Sequence, residues 1–579
     1  MKVLLLVTFL TFSAIAVYAQ KTPYELSNKT ETATYSQVMS YYTALDKKYD
    51  QMKLFTGGQT DIGEPLHLVV LSRNKIFDAA TLKKQGKRIL FINNGIHPGE
   101  PEGIDATMML TRDLLEGNKL PDNLVICIVP VYNIDGCLNR GLSRVNQNGP
   151  VSYGFRGNYQ NLDLNRDFIK TDSKNSLSFQ ALFNAWKPEI FIDNHTSNGS
   201  DYQYIMTLIP TQKDKLNPIL SGYMTGTLVP YLYDKMKSSG FELTPYVNSV
   251  GETPESGITG FLETQRYSTG YAALHNCIGF MPETHMLKSF DKRVQGTYTF
   301  MEHMIAVVKR DAALIGENKR RADEQVSTQT TFPLNWKLDR NTVTEFSFKG
   351  FEAKHKPSDV SGLQRLYYDR NSPFERKIKV WDHFEPALSV EKPLAYVIPQ
   401  SWEKVIRLLK LNGIALKRLT ATTAIDADMY LVGDYKTAAR PFEGHYTHNG
   451  LQLTTTKQRV TFYKGDYVVM VNQPGNRYIV ECLEPQGGDS YFTWNFFDPI
   501  LGRKEHYSDY VFEDVAAALL KSDAALRQKL EDEKAKNPAL ANSADAQLEF
   551  IYQNSVYSEK TAMRYPVGRL ASVAGLNLY

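Results

Sequence analysis

Ile89-Leu90-Phe91-Ile92-Asn93-Asn94-Gly95-Ile96-His97-Pro98-Gly99-Glu100 is the stretch on which the reading of this chain turns. Its apolar half, ended by Asn and Gly, reads as a short buried strand. Pro98 and Gly99 then shape a bend that carries a histidine and a glutamate three residues apart. Leaving a strand at a turn, two such side chains can be aimed at one metal ion. Downstream, Ile104, Met108, Thr111 and Leu115 fall on one face at helical spacing, so a helix is expected from Glu102 to Leu115. Alone, the tetrapeptide also fits an ordinary turn with a glutamate on a helix's first turn. A third ligand is needed, and the chain offers one. Ile190-Phe191-Ile192-Asp193-Asn194 reads as a second buried strand, with His195 just past its end, where open α/β sheets keep their chemistry.

Strand-like and helix-like segments alternate from Tyr35 to about Ile315, which argues for an α/β domain with a mixed, twisted sheet flanked by helices. Strands are expected at His67 to Leu71, Ile89 to Asn93, Leu124 to Val131, Glu189 to Asn194 and Tyr202 to Leu208. Val294, Tyr298, Met301, Ile305 and Val308 mark a long helix that closes the domain. The charge-rich stretch Gly316 to Gln329 is either a linker or a solvent-exposed extension of that helix. It divides an N-terminal α/β domain, 20–318, from a C-terminal α+β domain, 330–579. In the latter, Leu394 to Ile398, Val460 to Val471 and Tyr478 to Leu483 read as β, and Ser401 caps a helix that stops at Asn412-Gly413. After Asp514 the chain reads as helical and charged.

A chain of 579 residues exceeds the size at which one core keeps growing, so at least two domains are expected. A hydrophobic content of 42% and a charged content of 22% suit a globular protein. The net charge of +3, from 66 basic and 63 acidic residues, gives no reason to expect nucleic acid or an anionic membrane as partner. Lys2, the apolar run from Val3 to about Ala16 and Val17-Tyr18-Ala19 have the pattern of a signal peptide cleaved after Ala19. The expected location is therefore periplasmic or extracellular, with no integral membrane segment in the mature chain. Four cysteines, Cys127, Cys137, Cys277 and Cys482, form no close pair and suggest neither a disulfide framework nor a thiolate zinc site.

Further along come Asn133-Ile134-Asp135-Gly136, then Arg140 and Arg144, then Asp163-Leu164-Asn165-Arg166, His195, and Met281-Pro282-Glu283-Thr284-His285. Together with His97 and Glu100, this ordered set resembles the zinc carboxypeptidase family of the carboxypeptidase A type, over roughly residues 30 to 310. Gly58 to Leu66 is similar to the family's segment leading into a first core strand. The resemblance implies one zinc ion held by His97, Glu100 and His195, with a fourth position left for water. It selects Glu100 over Glu102, which is expected to face solvent. It makes Asp163 the carboxylate behind the first histidine, Glu283 the general base that activates the attacking water, and Arg144, rather than Arg140, the group that stabilises charge on the carbonyl oxygen. Asn165 and Arg166 correspond to the pair that grips a substrate's terminal carboxylate. Asp167, where many relatives have asparagine, trims that positive charge or pairs with Arg166. A mobile tyrosine upstream of the base corresponds to Tyr271 in preference to Tyr267. The implied substrate is a peptide with a free C-terminus.

Two other functions compete. An amidase or deacylase acting on N-acyl amino acids or cell-wall peptides would share the metal ligands, but the Asn133 to Gly136 turn speaks against it. A peptide- or glycan-binding protein without turnover would not be expected to keep all three ligands and Glu283. The aromatic group Tyr491, Phe492, Trp494, Phe496 and Phe497 reads as core or domain interface in preference to a glycan platform, with the C-terminal domain packed on the catalytic one.

Overall fold

The computed structural model describes residues 20–579, so the signal segment read in residues 1–19 lies outside the described residues. Nine strands build the first sheet: β1 (Met52–Gln59), β2 (Pro65–Leu71), β3 (Arg88–Asn93), β4 (Leu124–Val129), β5 (Ile190–Asp193), β6 (His195–Ser197), β7 (Met206–Pro210), β8 (Leu243–Pro245) and, after the two-residue strands β9 (Asn248–Ser249) and β10 (Ile258–Thr259) of another sheet, β11 (Ile278–His285). Their order is β1-β2-β4-β3-β5-β11-β7-β8, with β6 paired to β11. β4, β3, β5 and β11 run parallel, while the β1-β2, β2-β4 and β11-β7 pairs are antiparallel, so the sheet is mixed as expected.

The path through this order places the site. From β3 the chain crosses by the helix Glu102–Glu116 to β4 on one side, and from β4 it returns to β5 on the other side of β3. Strand order therefore reverses between β3 and β5, and the carboxyl ends of those strands flank a crevice. Alternation along each strand feeds two cores. Leu90, Ile92, Ile126, Ile128, Ile190 and Ile192 pack under the helices Tyr35–Lys48, Glu102–Glu116 and Phe290–Thr328. Ile89, Phe91, Val125, Cys127, Val129 and Phe191 pack under the helix Lys174–Trp186.

Gly316 to Gln329 is an extension of the preceding helix rather than a linker, since one helix runs without a break from Phe290 to Thr328. Buried Ile315, Asn318, Ala322 and Val326 keep a packed face through the charged stretch. Beyond it come β12 (Thr331–Leu338), β13 (Thr344–Pro357), β14 (Gln364–Trp381) and β15 (Phe384–Glu391). The long β13-β14 hairpin joins β10 and β9 in one sheet, and Ile258 is paired with Val380.

A six-stranded sheet follows, built from β16 (Ala395–Ile398), β17 (Lys417–Arg418), β18 (Thr423–Thr437), β19 (His448–Phe462), β20 (Tyr467–Met470) and β21 (Gly568–Leu570). Tyr478 to Leu483 is helix, Asn476–Leu483, not β: all eight residues are buried, the charged Arg477 and Glu481 included, and so short a run, apolar but for Glu481, does not disclose its period. The helix before Asn412-Gly413 spans Glu403–Leu411 with Trp402, not Ser401, at its N-cap. Tyr491, Phe492, Trp494 and Phe497 are fully buried in the same core as Phe91, Phe179, Phe183 and Tyr271. The aromatic group is thus core shared with the first sheet, and all four cysteines are buried and free.

Candidate active site

Backbone hydrogen bonds tie the turn after β3 to the one after β4, Tyr132 N donating to Asn94 O (2.8 Å) and Asn133 N to Gly95 O (3.0 Å). Gly95 sits at φ +63°, a conformation that needs no Cβ. Glu100 N donates to His97 O (2.8 Å), closing the turn that brings both side chains inward. Gly99 has no room to be anything else, because a Cβ there would lie 2.9 Å from Arg144 Cδ and 3.0 Å from Gly154 O.

His97, Glu100 and His195 are buried, with one donor atom from each lying within 4.8 Å of the others. Each imidazole is held from behind. His97 Nε2 meets Asp163 Oδ1 at 2.8 Å, and His195 Nε2 meets Asp193 Oδ2 at 2.9 Å. With both Nε2–H groups engaged by carboxylates, both Nδ1 atoms face Glu100. His97 Nδ1 is buried without a hydrogen-bond partner, and His195 Nδ1 lies 3.0 Å from Glu100 Oε2. An orphaned ring nitrogen, a second imidazole and a carboxylate converging on one point fit a divalent zinc-type cation, with the outer carboxylates fixing each tautomer.

Burial alone would raise the Glu100 carboxyl, but Arg144 and the two imidazoles outweigh it and hold it well below the usual carboxylate range. For His195 burial works against the charged ring, yet Asp193 and Glu100 carry it well above the usual histidine value. Asp163 is drawn down against its burial by His97, Arg156 and Arg166.

A cleft of about 210 Å³ opens in front of these groups. Glu283 lines it from β11, in register with His195 of β6. Burial pushes its carboxyl up to about 7, helped by Glu100 and opposed by the two histidines and Arg156. Arg144 donates to Glu100 Oε1 (2.5 Å) and Thr196 O (3.0 Å), and its Nε has no partner. Asn165 Oδ1 accepts from Ser268 N (3.0 Å), and Arg166 lies over the Tyr267 ring at 4.4 Å. All four residues line the cleft.

Tyr271 does not belong here. It is fully buried in the second core, its hydroxyl donating to Asn412 Oδ1 at 2.6 Å, and the tyrosines that line the cleft are Tyr267 and Tyr246. Position 271 falls in the helix Ser268–Leu274 with its ring packed on Phe168 and Phe183, whereas Tyr267 is the helix's N-cap and lines the cleft. Glu102 does not face solvent: it is buried, paired with Arg293 (2.7 Å) and accepting from Thr196 Oγ1 (2.6 Å). Asp167 does not pair with Arg166 but with buried Lys170 (2.8 Å), while also accepting from Ser173 Oγ (2.6 Å). Arg140 is turned to the carbonyls of Thr32, Ala33 and Ser152.

Two site residues escaped the sequence reading. Asp193 stands two residues before His195 along an extended chain, and residues i and i+2 share a face, so the signal was present. Arg156 bonds both Asp163 Oδ2 (3.0 Å) and Glu100 Oε1 (3.3 Å) from an irregular loop, where no periodicity marks it.

Two imidazoles and a carboxylate at a switch-point crevice, faced by a carboxyl of raised pKa and three guanidiniums, define a metal-dependent hydrolase of the α/β class. Residues 38–300 match the zinc carboxypeptidase family model. Among curated proteins, Carboxypeptidase 2 of Trichophyton rubrum is 22% identical over 428 residues, 70% of this chain and 73% of the relative. Carboxypeptidase 2 of Trichophyton equinum is 21% identical over the same shares. Of solved structures, the metallo-carboxypeptidase from Burkholderia cenocepacia is 16% identical and covers 48% of this chain and 70% of that one, with a TM-score of 0.37.

Proposed function

We propose that the chain is an exported zinc metallocarboxypeptidase that removes C-terminal residues from peptides, holding one zinc ion through His97 Nδ1, Glu100 and His195 Nδ1. The observation that carries this is the orphaned Nδ1 of His97, buried beside His195 and Glu100 at the mouth of a cleft that Glu283 and three arginines line. When bound, zinc supplies a Lewis acid that polarises the scissile carbonyl and the attacking water.

The chain's own residues do the rest. Glu283 takes the proton as water oxygen bonds to the carbonyl carbon, and returns it to the amine as the C–N bond breaks. Arg144, held in place by Glu100 and Thr196 O, offsets the negative charge that builds on the carbonyl oxygen. Arg166, steadied over Tyr267, pairs with the terminal carboxylate. Asn165 offers its Nδ2, since its Oδ1 is engaged by Ser268.

Ile209, Tyr246, Phe261 and Met281 wall the cleft, and the first three also border an apolar cavity of about 250 Å³ behind it. The carboxylates facing the cleft, Glu100 and Glu283, belong to the chemistry, so a large apolar C-terminal side chain is the preferred fit. Export rests on Lys2 to Ala19, and among the described residues no helix is long and apolar enough to cross a membrane. N-terminal sequencing of the secreted form should begin at Gln20.

Metal analysis of wild type and His195→Ala, joined to digestion of a peptide library, tests the reading. The expected result is about one zinc per wild-type chain, loss in the variant, and release of single C-terminal apolar residues. Full zinc occupancy in His195→Ala, or hydrolysis of N-acyl amino acids with peptides untouched, contradicts it.

A further inference from the structure

The hairpin between β18 and β19 reaches out of the C-terminal sheet to the segment that holds the site together. Its tip is Phe442-Glu443-Gly444-His445, closed by reciprocal backbone bonds between Phe442 and His445 (2.8 and 3.0 Å). Glu443 and Gly444 both have positive φ, +49° and +83°. Two-residue turns of this kind favour Asn-Gly, Asp-Gly or Gly-Gly, because a longer L side chain at the first position is strained. A glutamate is therefore a costly choice for the turn alone, and its side chain has a partner that explains it. Glu443 Oε2 accepts the backbone N–H of Asp163 at 2.8 Å, across 280 residues of sequence.

The tip is anchored from both sides. Phe442 stacks on Trp494, with the Arg266 guanidinium 5.4 and 4.8 Å from the two rings. His445 sits between Asp172 Oδ2 (2.6 Å) and Asn495 Oδ1 (2.5 Å). Asp163, in turn, spends Oδ1 on His97 Nε2 and Asn165 N and Oδ2 on Arg156. Fixing the peptide of Asp163 thus fixes at once the carboxylate behind a metal ligand and the start of the Asn165-Arg166 arm.

We infer that Glu443 is a positioning residue through which the C-terminal domain completes the active site, orienting Asp163 for zinc binding and Arg166 for the substrate carboxylate. This rests on the zinc carboxypeptidase reading above. The experiment uses the full chain and measures zinc affinity by chelator competition, together with kcat and KM on a peptide with a free C-terminus. Glu443→Ala should weaken zinc affinity by about threefold to tenfold, below the 10- to 100-fold typical of a residue bonded directly to a ligand. KM should rise by more than kcat falls. Glu443→Gln should recover most of both, because its amide oxygen still accepts the Asp163 N–H. Lys404→Ala breaks an ion pair to Asp172 (2.7 Å) at the same domain contact without touching Asp163, and should change neither.

Equal zinc affinity and KM in wild type and Glu443→Ala overturn the inference, as does an equal loss in Lys404→Ala. Should Glu443→Ala not fold, hydrogen exchange over 158–168 in Glu443→Asp decides: faster exchange supports the inference and unchanged exchange overturns it. A wild type that neither binds zinc nor cleaves peptides would instead strike the functional reading itself.

Discussion

Replacing Asp193 by asparagine removes a charge from behind His195 without changing volume. Asp193 is buried and uses both oxygens, Oδ2 with His195 Nε2 and Oδ1 with Asn93 Nδ2, each at 2.9 Å. An amide has one acceptor oxygen, so Asp193→Asn cannot serve both donors as they stand. Asn93 has a remedy: its own Oδ1 is buried without a partner, so it can turn its amide over and accept from the new N–H. The stability cost should stay near ~1 kcal/mol, the low end of the range for an unsatisfied buried polar group. The lost charge has no such remedy. The carboxylate orients the ring and raises the basicity of Nδ1, and losing such a partner lowers metal affinity about 10- to 100-fold, or ~1.4 to 2.8 kcal/mol. Zinc competition against a chromophoric chelator at neutral pH, run beside a denaturant titration, separates the two effects. A denaturation midpoint that falls while zinc affinity stays within about twofold of wild type would leave Asp193 a purely structural residue with no part in tuning His195.

Glu283→Gln should keep its zinc and lose about 10²- to 10⁴-fold in kcat, because an amide cannot take the proton; loss of metal in that variant would make Glu283 a ligand instead. As the proposed base Glu283 would work as a carboxylate, and burial lifts its carboxyl to about 7, so kcat/KM should fall with unit slope on the acid side. Bound cation charge draws that limb below 7, and a profile flat from about pH 8 to about pH 5 contradicts the assignment. Glu102→Ala strands the fully buried Arg293 among carbonyls and should cost about 3 kcal/mol in thermal or denaturant unfolding, with zinc content retained at low temperature. Tyr267→Ala removes the ring beneath Arg166 and should raise KM, whereas Tyr271→Phe should lose about 1 kcal/mol of stability and leave KM unchanged, as steady-state kinetics and melting will show.

What the sequence could disclose followed the physics of each signal. β3 and β5 were legible because both faces are buried and the runs end in Asn, Gly and His at the sheet's carboxyl edge. β11 was not, since Gly279 and Pro282 break its pattern although Glu283 lies within the strand. Glu100 and Glu102 look alike in sequence, and only the depth of Arg293 explains why the second carboxylate is buried. The two tyrosines differ by one helical turn, so choosing between them requires knowing which face meets the sheet. Arg156 and Glu443 lie on a loop and a hairpin tip whose roles come from contacts over 56 and 280 residues, a separation that no local pattern records.

Removal of one residue from a free carboxyl end, with a zinc held by His97, Glu100 and His195, can be checked by mass spectrometry of products from two otherwise identical peptides, one ending in a free phenylalanine carboxylate and one in its amide, with zinc-loaded wild type. The terminal phenylalanine should be lost from the free acid, with little or no loss from the amide. Internal cleavage, or equal attack on both peptides, would contradict it.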